Sequence, residues 1–177
     1  GLGDVYKRQG IFLESIFLTD NTIVYADRTK IQQVIYNLVD NAIKFTPEGR
    51  QIRVQVTEKD NKIFISVKDE GVGIPKDAQK KVFERFYKTD PSRGKDKTGT
   101  GLGLAITKEI IKAHGEQITL TSEEGKGSEF IFSLPKEKDM LVPIKPVHIE
   151  SRNEGYSEAD TSSPSIKSNG KFRIKDS

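Results

Sequence analysis

The strongest constraint on the fold is a change of hydrophobic period part-way along the chain. In "DRTKIQQVIYNLVDNAIKF", Ile31, Ile35, Leu38, Ala42 and Phe45 fall at i, i+4, i+7, i+11 and i+14. At 3.6 residues per turn this gathers them within roughly 80° of one another, the mark of an amphipathic helix. Asp27 is placed to cap its start, and Pro47-Glu48-Gly49 to end it. Directly afterwards "QIRVQVTE" and "KIFISVKD" set Ile52, Val54 and Val56, then Ile63, Ile65 and Val67, at period two. These read as a hairpin joined through "KDN".

Upstream, "IFLESIFLT" and "TIVYA" read as two short strands. Downstream come a glycine-bearing turn, a short helix over 77–83, and the polar stretch "KTDPSRGKDKT" from Lys88 to Thr98, expected to be a mobile loop. A second long helix follows Gly103, with Leu104, Ile110 and Ile111 apolar. Gly115 stands where a left-handed C-terminal cap belongs. His114, at the same helix end, is placed to cap it as a cation favoured by the helix dipole. "QITLTSE", a turn "EGKG" and "SEFIFSLP" close the series as alternating strands, with Phe130, Phe132 and Leu134 on one face.

Beyond Pro135 the chain turns to Lys, Glu, Ser, Asn and scattered Pro, too few large apolar groups to offset the entropy of ordering. The opening "GLGDVYKRQG" lacks a preceding strand and is similar to a translated sequencing adaptor. The expected organisation is a non-native leader at 1–10 with coding sequence continuing upstream, one domain at 11–135, and a disordered polar tail at 136–177. "MLVPIKPVHI" in the tail is a candidate short docking segment.

The absence of cysteine excludes disulfides and thiolate metal sites, so stability must come from an apolar core in a reducing setting. A net charge of +3 is not the clustered basic stripe of a nucleic-acid binder, and no nucleic-acid partner is expected. No apolar run approaches the roughly 20 residues that cross a bilayer.

Three motifs carry chemistry. On the long helix, away from its apolar stripe, Gln33, Asn37, Asn41 and Lys44 form a polar band. Such a band is either a solvated face or, since Asn is a weak helix former, a ligand surface: an Asn carbonyl oxygen suits Mg²⁺, and Lys44 suits phosphate. Asp69-Glu70-Gly71-Val72-Gly73 follows a strand, as a plain turn or as an acceptor for a purine's exocyclic amine with Gly71 and Gly73 admitting the ring. In "GTGLGLAITKEIIKAHG", Gly99, Gly101 and Gly103 precede a helix whose first N–H groups attract anions. Neither a dinucleotide-binding fingerprint nor a Gly-Lys-Ser/Thr phosphate loop is present.

Taken in order, these residues resemble the catalytic ATP-binding domain of two-component sensor histidine kinases, within the gyrase, heat-shock chaperone, histidine kinase and mismatch-repair ATPase fold. "NLVDNAIKFTPEG" looks like its N box, "VKDEGVGIP" its first glycine box, "VFERFYKTD" its F box and "GTGLGLAITKEIIKAHG" its second glycine box, and the likeness runs from about Thr22 to Pro135. Glu116 departs from the family, standing where its "HGG" has a second glycine.

The resemblance implies an α+β fold, a two-layer α/β sandwich with a mixed sheet covered on one face by helices. ATP and Mg²⁺ are the implied cofactors, with Asn41 as metal ligand, Asn37 a neighbouring phosphate or metal contact, Lys44 to phosphate, Phe45 near the nucleotide and Asp69 to adenine. Gly71 and Gly73 would approach the ring, and Gly99, Thr100, Gly101, Leu102, Gly103 and Leu104 would cap the phosphates. Arg85 or Arg93 reaches the γ-phosphate, unless Arg85 is a structural partner. The implied partners are a dimerisation domain carrying the phosphoacceptor histidine and a response regulator; the parent is a membrane-anchored homodimer with this domain in the cytoplasm. His114 and His148 lack the family's acceptor surroundings. The chain therefore presents phosphate to a histidine elsewhere, no general base can be named in it, and by itself it is expected not to autophosphorylate. The alternative is a stand-alone ATP-binding regulatory module, or an anti-sigma-type serine kinase on the same fold.

Overall fold

The computed structural model describes residues 10–20, 23–88, 100–136 and the backbone of 173–175. In chain order the elements are β1 (Phe12–Phe17), β2 (Ile23–Tyr25), α1 (Arg28–Phe45), β3 (Gln51–Lys59), β4 (Lys62–Asp69), α2 (Lys76–Gln79), α3 (Gly103–Ala113), β5 (Ile118–Glu123), β6 (Gly127–Pro135) and β7 (Arg173–Lys175). Five strands form one mixed sheet in the order β1-β3-β4-β6-β5. β1 runs parallel to β3, and every other neighbouring pair is antiparallel. β2 and β7 make a separate parallel pair.

The β3–β4 hairpin turns on two residues, Asp60 at φ 52° and Asn61 at φ 60°. Two successive left-handed residues match the twist of the flanking strands, and Asp and Asn tolerate that conformation better than other side chains. The register this fixes sends Ile63, Ile65 and Val67 of β4 to the same face as Val56, Phe130, Phe132 and Leu134, all buried. The opposite face is polar and tied by side-chain bonds such as Arg53 to Glu14 and Ser66 to Glu129. α1 packs on α3 and on β3 and β4, so the helices cover one face only, the two-layer α+β sandwich expected.

α1 begins as read: the Asp27 carboxylate accepts from the Lys30 amide at 2.9 Å. It ends at Phe45, where Thr46 turns extended and its hydroxyl bonds back to the Ala42 carbonyl at 2.6 Å. The buried stripe is rotated from the sequence reading. It holds Ile31, Val34, Leu38, Val39, Ala42 and Ile43, while Ile35 and Phe45 are half-buried at its margins. The cause is the second helix: α1 lies on both the sheet and α3, which widens its apolar face beyond one i, i+4, i+7 row.

α3 ends in a Schellman motif. Gly115 takes φ 73°, its amide bonds the Lys112 carbonyl, and the Glu116 amide bonds that of Ile111. His114 does cap the helix, its Nδ1 lying 2.7 Å from the Ile110 carbonyl, but not as a cation. Its Nε2 accepts the Asp27 amide proton at 3.1 Å, which requires the neutral ring with its proton on Nδ1. The ring thus fastens the end of α3 to the start of α1. Glu116 also finds a purpose: its carboxylate is bonded by Lys62 at 2.9 Å and by the Ser133 hydroxyl, holding the chain's turn into β5 against β4 and β6. Burial alone would raise its pKa, but the Ser133 and Lys62 bonds outweigh burial and hold it below the ordinary value.

Two readings need adjustment. The short helix is one turn, Lys76–Gln79, followed by turns through Phe83, and the Gln79 side-chain amide ties it to the Ile74 and Ser122 carbonyls. Arg173–Lys175, in the stretch read as a disordered tail, is a strand on β2, and Lys136 bridges Val24. Residues 1–9 of the leader, residues 89–99, which hold most of the expected loop with Arg93 and also Gly99, and 137–172 with His148 lie outside the described residues.

Candidate functional site

The three motifs meet along α1. At the helix's last turn, the Phe45 carbonyl accepts from the Val72 amide at 3.2 Å, so the first glycine box is pinned to the end of α1. Gly71 makes this possible, since a Cβ there would lie 2.4 Å from the Phe45 oxygen and 2.6 Å from Asp69 Oδ1. Two turns earlier, Asn37 Nδ2 donates to the Gly103 carbonyl at 3.3 Å, with the buried Thr107 hydroxyl at 3.5 Å. α1 is therefore the shared wall of both glycine boxes, joined to them at points about 12 Å apart along its axis. Asn41 and Lys44 stand between those joints, both half-buried.

Asp69 ends β4 at 4% exposure. Its Oδ1 accepts the Gly71 amide at 2.8 Å and the Ser128 amide at 3.2 Å. Among the described residues no group donates to Oδ2. Burial pushes its pKa up to about 6, with the two backbone bonds pulling the other way. A buried carboxylate with one oxygen held by the fold and the other unpartnered is an acceptor awaiting a donor. Gly73, at φ 69°, passes so close to Glu123 that a Cβ would meet its carbonyl at 2.0 Å. Its role here is backbone packing.

The second glycine box lies against the F box. The Phe86 amide donates to the Gly101 carbonyl at 2.9 Å, and Gly101, at φ 71°, leaves no room for a Cβ beside Phe86. Phe86 is itself left-handed at φ 62° and 73% exposed, a strained geometry for an aromatic residue. Leu102 stands at the N-cap of α3 and gives no side-chain bond; Thr100 Oγ1 accepts from Leu102 at 3.4 Å, before the helix proper. The first N–H groups of α3, from Gly103 and Leu104 onward, thus lack a side-chain cap, which is the condition for holding an anion.

Two of the cations read from the sequence, Lys44 and Arg85, are engaged within the protein. Lys44 pairs with Asp40 at 2.8 Å, one turn back on α1. Arg85 pairs with Glu109 of α3 at 2.6 Å, both exposed. Asn41, by contrast, has no hydrogen-bond partner among the described residues. The donor set suits a Mg-nucleotide: an unpartnered amide oxygen for a hard cation, an unpartnered buried carboxylate oxygen for an amine, and uncapped amides for phosphate.

Several positions that hold the site gave no sequence signal. Ser128 supplies an amide to Asp69, and its hydroxyl lies 2.9 Å from that of Ser122, which in turn accepts the Ile74 amide at 2.8 Å. These serines belong to the β5–β6 hairpin and reach the first glycine box only through the register that sets Asp69 opposite Ser128. Thr107 is likewise a polar residue in an apolar helix face, explained by Asn37 across the interface. A groove of about 640 Å³ opens beside Gly71, lined by Pro47, Arg50, Glu70, Gly71, Val72 and Lys126; Asn37, Asn41, Lys44 and Asp69 do not line it.

Comparison with known proteins agrees with this geometry. The family model for histidine kinase-, DNA gyrase B-, and HSP90-like ATPases matches residues 26–138. Sensor histidine kinase WalK of Bacillus subtilis is 48% identical over 118 residues, 66% of this chain and 19% of WalK, so the chain spans about a fifth of that relative's length. The catalytic domain of histidine kinase ThkA superposes with a TM-score of 0.64 at 33% identity, covering 76% of this chain and 90% of that one. ThkA in complex with response regulator protein TrrA gives 0.63 at 31% identity, over 76% and 37%. Full-length ShkA in complex with AMPPNP gives 0.65 at 30% identity, over 76% and 29%.

Proposed function

The chain belongs to the histidine kinase-, DNA gyrase B- and HSP90-like ATPase family, and from that premise we propose that it is the catalytic ATP-binding domain of a two-component sensor histidine kinase. The observation that carries this reading is α1 serving both glycine boxes at once, with the Asn41 side chain and the buried Asp69 Oδ2 left unpartnered among the described residues.

In this reading Asp69 accepts the exocyclic amine of adenine, and Gly71 keeps the α1 carbonyl and the carboxylate close enough to frame the ring. Asn41 is the protein ligand for Mg²⁺, which supplies charge neutralisation at the phosphates when bound. Lys44 contributes positive charge on the same wall, exchanging its Asp40 partner for phosphate. The uncapped first turn of α3 takes phosphate oxygens, and Asn37 acts by keeping that turn against α1. Phosphoryl transfer depends mostly on positioning and charge, so a domain of this kind can present the γ-phosphate while the nucleophile comes from elsewhere. That nucleophile is a histidine on a separate dimerisation domain, and the phosphoryl group passes on to a response regulator.

Calorimetric titration of the chain with ATP, with and without Mg²⁺, tests the reading. Mg²⁺-dependent binding is expected in the wild type and lost in Asn41→Ala. No binding by the wild type would overturn it. Mixed with a histidine-bearing dimerisation domain and labelled ATP, the chain should place acid-labile label on histidine; acid-stable label on serine would select the serine-kinase alternative.

A further inference from the structure

β2 is a strand of three residues, and its neighbour on the β6 side meets it through one bridge, Val24 to Lys136. Nothing so short holds itself extended. Yet Val24 is fully buried, and the chain passes from Tyr25 through buried Ala26 straight into Asp27, the N-cap of α1. What completes β2 is its other edge, where Ile23, Val24 and Tyr25 pair in parallel with Arg173, Ile174 and Lys175.

We propose that this edge of β2 is a strand-docking site whose resident occupant is the chain's own C-terminal segment, Arg173–Lys175. The segment adds to the edge by main-chain pairing, the mode in which extended peptides complete sheets. The connection of residues 137–172 can span on the order of 100 Å when extended, so a return in cis is unconstrained by length. Docking fastens the entry of α1, which His114 already grips from α3. Asn41 lies about 20 Å further along the helix, so the docked strand steadies the start of the wall without touching the nucleotide.

The test is amide exchange in the full chain, comparing the wild type with Ile174→Pro, which removes a strand N–H and disfavours pairing. The amides of Ile23–Ala26 should exchange about tenfold faster or more in the variant, while Val67 in the central strand and the affinity for Mg-ATP stay unchanged. A synthetic peptide of residues 171–177 at millimolar concentration should restore protection to the variant. Unchanged exchange at β2, or no protection by the peptide, would overturn the proposal. Sedimentation of the wild type distinguishes the occupant: a monomer supports docking in cis, whereas a concentration-dependent dimer that Ile174→Pro abolishes would assign the strand to a second copy and overturn the cis assignment. Failure of ATP binding would leave these readouts intact, so this inference and the nucleotide reading fail separately.

Discussion

Replacing Asp69 with asparagine should strengthen the fold and weaken the ligand, and both effects can be sized. The carboxyl is 4% exposed, and burial moves its pKa from the ordinary 3.8 to about 6. Because the folded-state value is raised, the native protein binds the proton more tightly than the unfolded chain. The contribution of Asp69 to stability is therefore greatest below about pH 4, falls as the pH rises towards about 6, and stays reduced above it. The full difference is worth about 3 kcal/mol, at 1.36 kcal/mol for each pH unit between the two values. The amide side chain of Asp69→Asn carries no charge to desolvate, and its carbonyl oxygen can still accept the Gly71 and Ser128 amides. The ligand-free variant should then melt on the order of 10 °C above the wild type at pH 7.5, with the gap closing by pH 4. Other carboxylates titrate alike in both proteins and cancel in the comparison. For ATP the sign reverses: an amide N–H would face the adenine amine where a carboxylate oxygen stood. Losing a hydrogen bond to a charged acceptor costs roughly 1.5–3 kcal/mol, or about 10- to 150-fold in affinity. Thermal scans from pH 4 to 8 and calorimetry with Mg-ATP read the two effects. Equal melting temperatures throughout would refute the desolvation argument, and equal affinities would refute the adenine assignment.

The same titration predicts that wild-type affinity for ATP falls as the pH drops below about 6, where Asp69 takes up a proton and ceases to be an acceptor on both oxygens; a flat profile from pH 7.5 to 5 would count against it. Asn37 and Asn41 should separate in stability. Asn37→Asp sets a carboxylate against the Gly103 carbonyl and should cost about 1–3 kcal/mol, while Asn41→Ala removes no internal bond and should stay within about 0.5 kcal/mol, as denaturant titration would show. Gly71→Ala, with its Cβ 2.4 Å from the Phe45 carbonyl, should part the first glycine box from α1, lowering both melting temperature and nucleotide affinity. His114→Ala removes the acceptor of the Asp27 amide and should cost about 1 kcal/mol without changing ATP affinity at saturating folded protein.

The sequence by itself determined the two long helices, strands β1 to β6 and the family of the site. Periodicity separates α1 from the β3–β4 hairpin because side-chain direction repeats every 3.6 residues in one and every two in the other, a local property. Capping is equally local, so Asp27 and Gly115 were legible without any tertiary information. The ordered motifs were legible because their residue types, Asn on a helix, Asp-x-Gly after a strand, and glycines before a helix, are poor choices for folding alone.

What only the tertiary structure decided was which groups remain free. The sequence reading gives Asn41 to the metal and Asn37 to a neighbouring phosphate or metal contact; the fold bonds the Asn37 Nδ2 to Gly103 and leaves the Asn41 side chain without a partner among the described residues. It leaves Arg85 between phosphate and structure, and the fold gives it Glu109. It reads His114 as a cation, and the fold makes it an acceptor for an amide from the far end of another helix. Ser128 and Thr107 carry no signal at all, and Glu116 shows only as a departure from the family's glycine, because their partners lie on other elements. The physical reason is common to all of them. A side chain's type fixes what it can donate or accept, but its partner is set by register and packing between elements distant in sequence, and a local pattern contains neither.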